Sequence, residues 1–407
     1  MNRVLKIYRE YPRDFWMMIA VNFVDRLGGS LLFPFFALYI TKKFDVGMTQ
    51  VGGLFAVFFI SSFLGAFPGG ALTDRFGRKG IIIFSLISTS FSTLLMGFVN
   101  TFQLFLIVAF VSGIFTDVCG PAYEAVFMDM LPEEQRASGF GIRRVAFNLA
   151  IVLCPVIGGL IAARSYLALF IIDAIVSAIV ALMVFRLIPE TKPVAAEGKE
   201  QESMAETFRG YLQVVRDRKF MAFTLVCLLT WLVYMNMNTT LGVFLRDQYG
   251  VPESGYGSLI SINAAMVVVL QFPITRRMEK HPPMLMMALG AFFIALGLLL
   301  YGFGSAFWWF AIAMAILTIG EMIAIPTANA IVAKFSPEDM RGRYNFVYGN
   351  SWGLSFAIGP YLAGLVLDNY DPNWLWYACG IVGMLAVLGF ILLHRLTQAK
   401  PILASKE

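Results

Sequence analysis

Residues 70 to 79 read Gly70-Ala71-Leu72-Thr73-Asp74-Arg75-Phe76-Gly77-Arg78-Lys79, a charged stretch with glycines at both ends, set between two long apolar runs. A tight turn between two membrane spans needs a glycine, and Arg75, Arg78 and Lys79 anchor such a turn at the cytoplasmic face. Asp74 is the unusual member. A carboxylate at that depth wants a basic partner or a helix N-terminus.

Outward from this stretch the chain keeps the same alternation. Of its 407 residues 58% are apolar and 14% charged, against roughly 25% charged in a soluble chain. It cannot cover a water-facing surface and reads as an all-α membrane protein. A transmembrane helix needs ~20 mostly apolar residues. Such runs lie at about 14–41, 48–72, 80–99, 102–128, 141–163, 166–188, 220–246, 254–275, 283–304, 306–332, 343–367 and 374–396, spans 1 to 12. The first is too long for a signal-peptide core and no small-residue cleavage site follows it, so it stays as span 1. The side of the N-terminus holds 26 Lys and Arg, the other side only 4 (Lys42, Lys43, Arg164 and Arg246), and Arg26 lies within span 1. That bias predicts both termini in the cytoplasm and assigns the net charge of +5 to membrane orientation, with no nucleic-acid partner.

The chain also repeats itself. Pro68 and Pro273, Pro121 and Pro326, Pro132 and Pro337, and Pro155 and Pro360 are each 205 residues apart, and the same shift aligns Glu133 with Glu338, Arg136 with Arg341 and Gly159 with Gly364. Two parallel six-helix halves follow, residues 1–188 and 220–407, joined by a cytoplasmic linker at 189–219. In the linker Met204, Phe208, Tyr211, Leu212 and Val215 fall on one helical face, which predicts an amphipathic helix on the inner membrane surface.

Several chemistries are excluded. Cys119, Cys154, Cys227 and Cys379 are isolated within apolar runs, and His281 and His394 stand at segment ends, so neither a metal site nor a disulfide framework is expected. No Lys precedes Ser or Thr, which removes a Walker A loop and with it ATP-driven transport. No catalytic cluster and no cofactor motif is found, so the chain is not expected to be an enzyme.

The stretch at 70–79, with Gly70, Asp74, Arg75, Gly77, Arg78 and Lys79 in place, closely resembles the signature loop of the major facilitator superfamily, and the twelve spans and the repeat extend the resemblance over the chain. The resemblance implies that Asp74 faces the start of span 11 and that Arg78 pairs with Asp129, a cluster that latches the halves in the outward-facing state. It also implies a central cavity lined by spans 1, 4, 7 and 10. Span 10 carries Gly320, Glu321 and Pro326, which resembles the multidrug-efflux branch, where a carboxylate at that place serves substrate recognition or proton coupling. On span 5 that branch has a glycine-rich motif. Here Pro155, Gly158 and Gly159 keep part of it, while Ala150 and Cys154 replace glycines. Ala109 stands where many members carry an arginine on span 4, and the adjacent Asp25 and Arg26 on span 1 are a further departure.

All the cavity charges expected from this plan fall on those spans: Asp25 and Arg26 on span 1, Asp117 and Glu124 on span 4, Glu321 on span 10, with Asn236 and Asn238 as polar groups on span 7. Asp117, Pro121 and Glu124 share one face of span 4 with a proline kink between the carboxylates. Glu124 is also within reach of Arg143 or Arg144, and Asp173 on span 6 reads as a local structural pair. Arg26 is expected to reach a span 4 carboxylate in place of the missing arginine. The function expected is secondary active transport: a monomer in the bacterial inner membrane that exchanges protons for a small lipophilic compound and takes only membrane lipid as a further partner. A lipid or glycolipid flippase and a sugar or metabolite exporter are the alternatives within transport. A membrane receptor or sensor is the alternative outside it.

Overall fold

The computed structural model describes residues 8–190, 204–278, 280–337 and 340–398. Their regular structure is helical, and eleven helices among the described residues are long and apolar enough to cross a membrane. The remaining expected span, span 11, is a continuous helix of 29 residues, Arg341–Asn369. Arg341, Arg343, Asn345 and Asn350 make its first half too polar to be counted with the others. Large side chains such as Phe91, Phe272 and Trp308 are 68%, 74% and 75% exposed, which suits a surface solvated by lipid.

Several helices are interrupted where the sequence forces it. Span 1 runs Arg13–Leu32, passes through a 3-10 turn at Phe33–Phe35 and resumes at Phe36–Phe44. Pro34 removes one ladder hydrogen bond and crowds the carbonyl four residues back. In span 4 the same effect of Pro121 on the Asp117 carbonyl splits the helix into Phe102–Asp117 and Gly120–Asp129. Span 7 breaks without proline, into Arg218–Tyr234, Asn236–Thr239 and Leu241–Tyr249. There Asn236 Nδ2 donates to the Leu232 and Val233 carbonyls, 3.2 Å each, and Thr240 Oγ1 donates to Asn236 Oδ1 at 2.9 Å. Side chains that bond the backbone locally compete with the ladder and bend it.

The stretch at 70–79 is less of a loop than its composition predicts. Span 2, Met48–Phe76, stays helical to Phe76, and span 3, Arg78–Phe98, begins two residues later. Gly77 alone makes the turn, at φ 89°, a conformation that only glycine adopts without strain. The linker helix, Met204–Arg216, packs on unit 2: the Tyr211 ring meets Phe346 at 5.3 Å. Asp217 then caps span 7, accepting from Lys219 N and Phe220 N, and takes a further bond from Tyr344 Oη at 3.0 Å. The side chains of Met204 and Phe208 lie outside the described residues.

The chain divides into two compact units. Unit 1 is Met1–Val46, Leu54–Glu197 and Pro252–Ser261, and unit 2 is Gly47–Gly53, Gly198–Val251 and Ile262–Glu407. Each unit therefore takes in a short segment from the other half of the sequence. Within unit 1, Glu253 accepts from Lys42 Nζ at 3.1 Å and Tyr166 Oη at 2.8 Å. Within unit 2, Asp368 accepts from the Met48 and Thr49 backbone N–H groups at 2.9 and 2.8 Å, a carboxylate on the exposed donors of a helix N-terminus. The apolar core of unit 1 is built by Phe15 and Met18 of span 1, Ile82 of span 3, Phe127 of span 4 and Val180 and Val184 of span 6. In unit 2, span 9 (Pro283–Leu300) meets span 10 (Phe307–Phe335) at Gly290, Gly297 and Gly320, where small residues let helix backbones approach.

Candidate functional site

Glu321 sits near the middle of span 10, 14 residues from its start at Phe307 and so ~21 Å along the helix. Asn263 of span 8 (Glu253–Met278) donates to Glu321 Oε2 at 2.6 Å and bonds Thr318 Oγ1 at 3.0 Å. The Tyr234 hydroxyl is within hydrogen-bonding reach of the same carboxylate. No Lys or Arg among the described residues forms an ion pair with Glu321. An ionised carboxylate at mid-membrane costs about 2.5–3.5 kcal/mol by insertion scales, and each hydrogen bond to a charged group returns about 1.5–3 kcal/mol. The cost of burial and the return from these hydrogen bonds are of one size.

In unit 1 the charges are distributed differently from the expectation. Arg26 does not reach span 4: its guanidinium lies over the Phe147 ring at 4.2 Å, and among the described residues it forms no ion pair with Asp117 or Glu124. Glu124 is taken by Arg143 Nη2 at 2.8 Å, and the Arg143 guanidinium in turn lies over the Phe127 and Phe140 rings at 4.8 Å. Asp117 closes the first segment of span 4, beside a polar seam in which Ser85 donates to the Thr116 carbonyl at 2.8 Å. Asp25 makes no ion pair with its neighbour Arg26. Adjacent helix residues point ~100° apart.

At the start of span 3, Arg78 Nη1 donates to Asp129 Oδ2. Glu190, at the end of span 6 (Tyr166–Leu187), accepts from Arg78 N at 3.0 Å. Lys79 Nζ lies over the Phe185 ring at 5.5 Å. Beyond their backbone, Gly70, Asp74 and Arg75 lie outside the described residues. On span 5 (Glu133–Ala162), Gly158 meets the Leu31 carbonyl and Gly159 meets Glu253 and Ser254, so the glycines serve close backbone contact within unit 1. On span 7, Asn236 is buried, donating to its own helix and to Cys379 Sγ at 3.8 Å, and Asn238 is half-buried. Sequence reasoning missed Asn263, Tyr234 and Thr318 around Glu321, and Glu190 after span 6, which meets the start of span 3. A single amide in an apolar span carries no periodic signal, whereas Thr318, three residues before Glu321, stands on the same helical face and was findable.

The family model described as Major Facilitator Superfamily matches residues 18–360. The chain belongs to this superfamily. It is a secondary transporter embedded in the membrane by many spans, and not an enzyme. Among its relatives, a "Na(+), Li(+), K(+)/H(+) antiporter" of Planococcus maritimus is 28% identical over 95% of this chain and 96% of that protein. The "Multidrug resistance protein MdtH" of Shigella flexneri is 23% identical over 91% of this chain and 87% of that one. Of solved structures, the nucleoside transporter NupG superposes with a TM-score of 0.80 at 12% identity, covering 94% of this transporter and 100% of that chain. That likeness shows the fold.

Proposed function

We propose that this transporter exports small lipophilic compounds in exchange for protons, by alternating access of two six-helix halves, with Glu321 as the carboxylate that changes protonation. The carrying observation is Glu321 itself, deep in span 10 and held by Asn263 and Tyr234, with no ion pair to a cation among the described residues. Asp25, Arg26, Asp117 and Glu124 are proposed as the polar lining of the N-terminal half, and the Arg78–Asp129 pair with Asp74 as the conformational latch. The excess of Lys and Arg on one side supports cytoplasmic termini, and the bacterial relatives support an inner-membrane location. The test is uptake of a fluorescent lipophilic cation into proteoliposomes under an imposed pH difference. Wild type should concentrate the dye, and Glu321→Gln should only equilibrate it. Concentrative uptake by Glu321→Gln would remove Glu321 from the coupling step.

A second reading is exchange of alkali cations for protons. It is favoured by the Planococcus maritimus antiporter, a relative that matches nearly the whole length of both chains. Sodium-driven alkalinisation of the lumen in the same proteoliposomes, with no lipophilic compound present, separates it from the first.

A further inference from the structure

Unit 2 holds a cavity of about 220 Å³ that the transport reading leaves without a task. It lies where spans 9, 10 and 12 (Asn373–Gln398) end on the side of the chain termini. Pro282, Pro283 and Met284 at the start of span 9 form one wall, and Ile331, Lys334 and Phe335 at the end of span 10 form another. His394, near the end of span 12, completes the lining. The hollow is preformed. Phe335 is held by Phe220 and Phe223 of span 7, with ring centroids 5.9 and 6.1 Å away, so its ring does not swing in to fill the space. The two proline rings are short and rigid, and proline has no N–H to offer a ligand. An apolar cavity of about 150 Å³ already takes up benzene, so this one has room for the first part of a hydrocarbon chain.

The ionisable side chains that line this hollow are both basic. Lys334 is exposed and forms no ion pair among the described residues, and the His394 imidazole stands with it on the lining. The stretches that run into the cavity, 276–281, 334–343 and 394–400, hold eight Lys and Arg against Glu279, Glu338 and Asp339. A fitting occupant is therefore apolar along much of its length and negative at the end that meets Lys334. A lipophilic cation is repelled there, and a free phosphate leaves the apolar walls in contact with water. The bilayer itself supplies the amphiphile that fits, and basic pockets between spans hold anionic headgroups. Hydrocarbon gains little by leaving lipid for an equally apolar groove. The groove thus sets where the chain lies, while the charge at Lys334 sets which lipid is held.

We propose that the hollow between spans 9, 10 and 12 binds one anionic phospholipid, with its phosphate on Lys334 beside His394 and the start of an acyl chain against Met284, Ile331 and Phe335. The site stands whichever cargo the protein moves, and only the membrane leaflet that supplies the lipid rests on the cytoplasmic placement of the termini. The experiment is native mass spectrometry of the delipidated protein, released from detergent and titrated with dioleoylphosphatidylglycerol or dioleoylphosphatidylcholine. Wild type should bind its first phosphatidylglycerol at least tenfold more tightly than its first phosphatidylcholine. Lys334→Gln should lose that preference, and Lys334→Arg should keep it. Arg186→Gln, which removes an exposed cation at the end of span 6 in unit 1, should also keep it. Met284→Trp, which fills the groove and leaves the charge, should weaken phosphatidylglycerol binding about tenfold. Lys334 is exposed, so Lys334→Gln tests the site even where Met284→Trp fails to fold. Millimolar inorganic phosphate should not displace the lipid. No preference in wild type, an undiminished preference in Lys334→Gln, undiminished binding in a folded Met284→Trp, or displacement by phosphate overturns the site. So does an equal loss in Arg186→Gln, since the preference would then belong to the whole charged face and not to this hollow.

Discussion

Glu321 in unit 2 and Asp25 in unit 1 are both carboxylates well inside apolar spans, and the fold treats them in opposite ways. Around Glu321 it supplies neutral donors, Asn263 at 2.6 Å and the Tyr234 hydroxyl. Around Asp25 it supplies charges, the neighbouring Arg26 and, from span 6, a second carboxylate, Asp173. The first arrangement replaces the hydration shell of one charge with protein dipoles. The second sets one charge among others of both signs. A carboxylate's place in an apolar span therefore does not fix its surroundings, which are set by the helices packed against it.

The comparison can be broken most decisively at Glu321. Glu321→Gln keeps an acceptor for Asn263, so the protein should fold and insert, while pH-driven accumulation of a lipophilic dye should fall at least tenfold. Next in size is Asn263→Ala. Losing a hydrogen bond to a charged group costs about 1.5–3 kcal/mol, and the rate of proton-coupled transport should drop about tenfold or more with little change in dye binding. If Asn263→Ala transports normally, the donors around Glu321 are packing and not solvation.

The unit 1 side is sharpened by Gly28→Ala. A methyl group 2.6 Å from Asp173 Oδ1 is overpacking of the kind that costs about 1–3 kcal/mol. Thermal stability should fall by several degrees, and Asp173→Ala in the same chain should recover most of it. Without that recovery, span 6 does not meet span 1 as described. The smallest effect is expected at Arg26. A guanidinium over an aromatic ring is worth about 0.5–1 kcal/mol at an exposed site, so Arg26→Ala should barely move the unfolding midpoint. Breaking a buried ion pair would instead cost about 3–5 kcal/mol. A loss of that size would mean that Arg26 does hold a carboxylate.

Much of this plan was legible in the chain because membrane spans are written as local apolar runs. The break in span 4 followed from Pro121, whose effect on the carbonyl four residues back is a matter of covalent geometry. The break in span 7 did not, because Asn236 and Thr240 produce it through side-chain bonds whose competition with the helix is decided by packing. Glu321 could be singled out by depth alone. Its partner Asn263 lies 58 residues away in sequence, and no spacing rule joins positions on different spans. Arg26 shows the same limit from the other side: the sequence names the residue, but the direction of its side chain, onto Phe147, depends on the helices around it. The stretch at 70–79 identified the family, yet its composition overstated the loop, because the helix needs only Gly77 to turn.

The exchange of short segments between the units has a consequence for any attempt to take the protein apart. A chain severed in the linker would yield an amino-terminal fragment in which Lys42 and Tyr166 have lost Glu253, and in which the first backbone donors of Met48 and Thr49 have lost Asp368. Neither fragment owns all the material of the unit it mostly builds. Two such fragments made in one cell should therefore be unstable apart and recover each other as a pair, each acting as the missing cofactor of the other's folding.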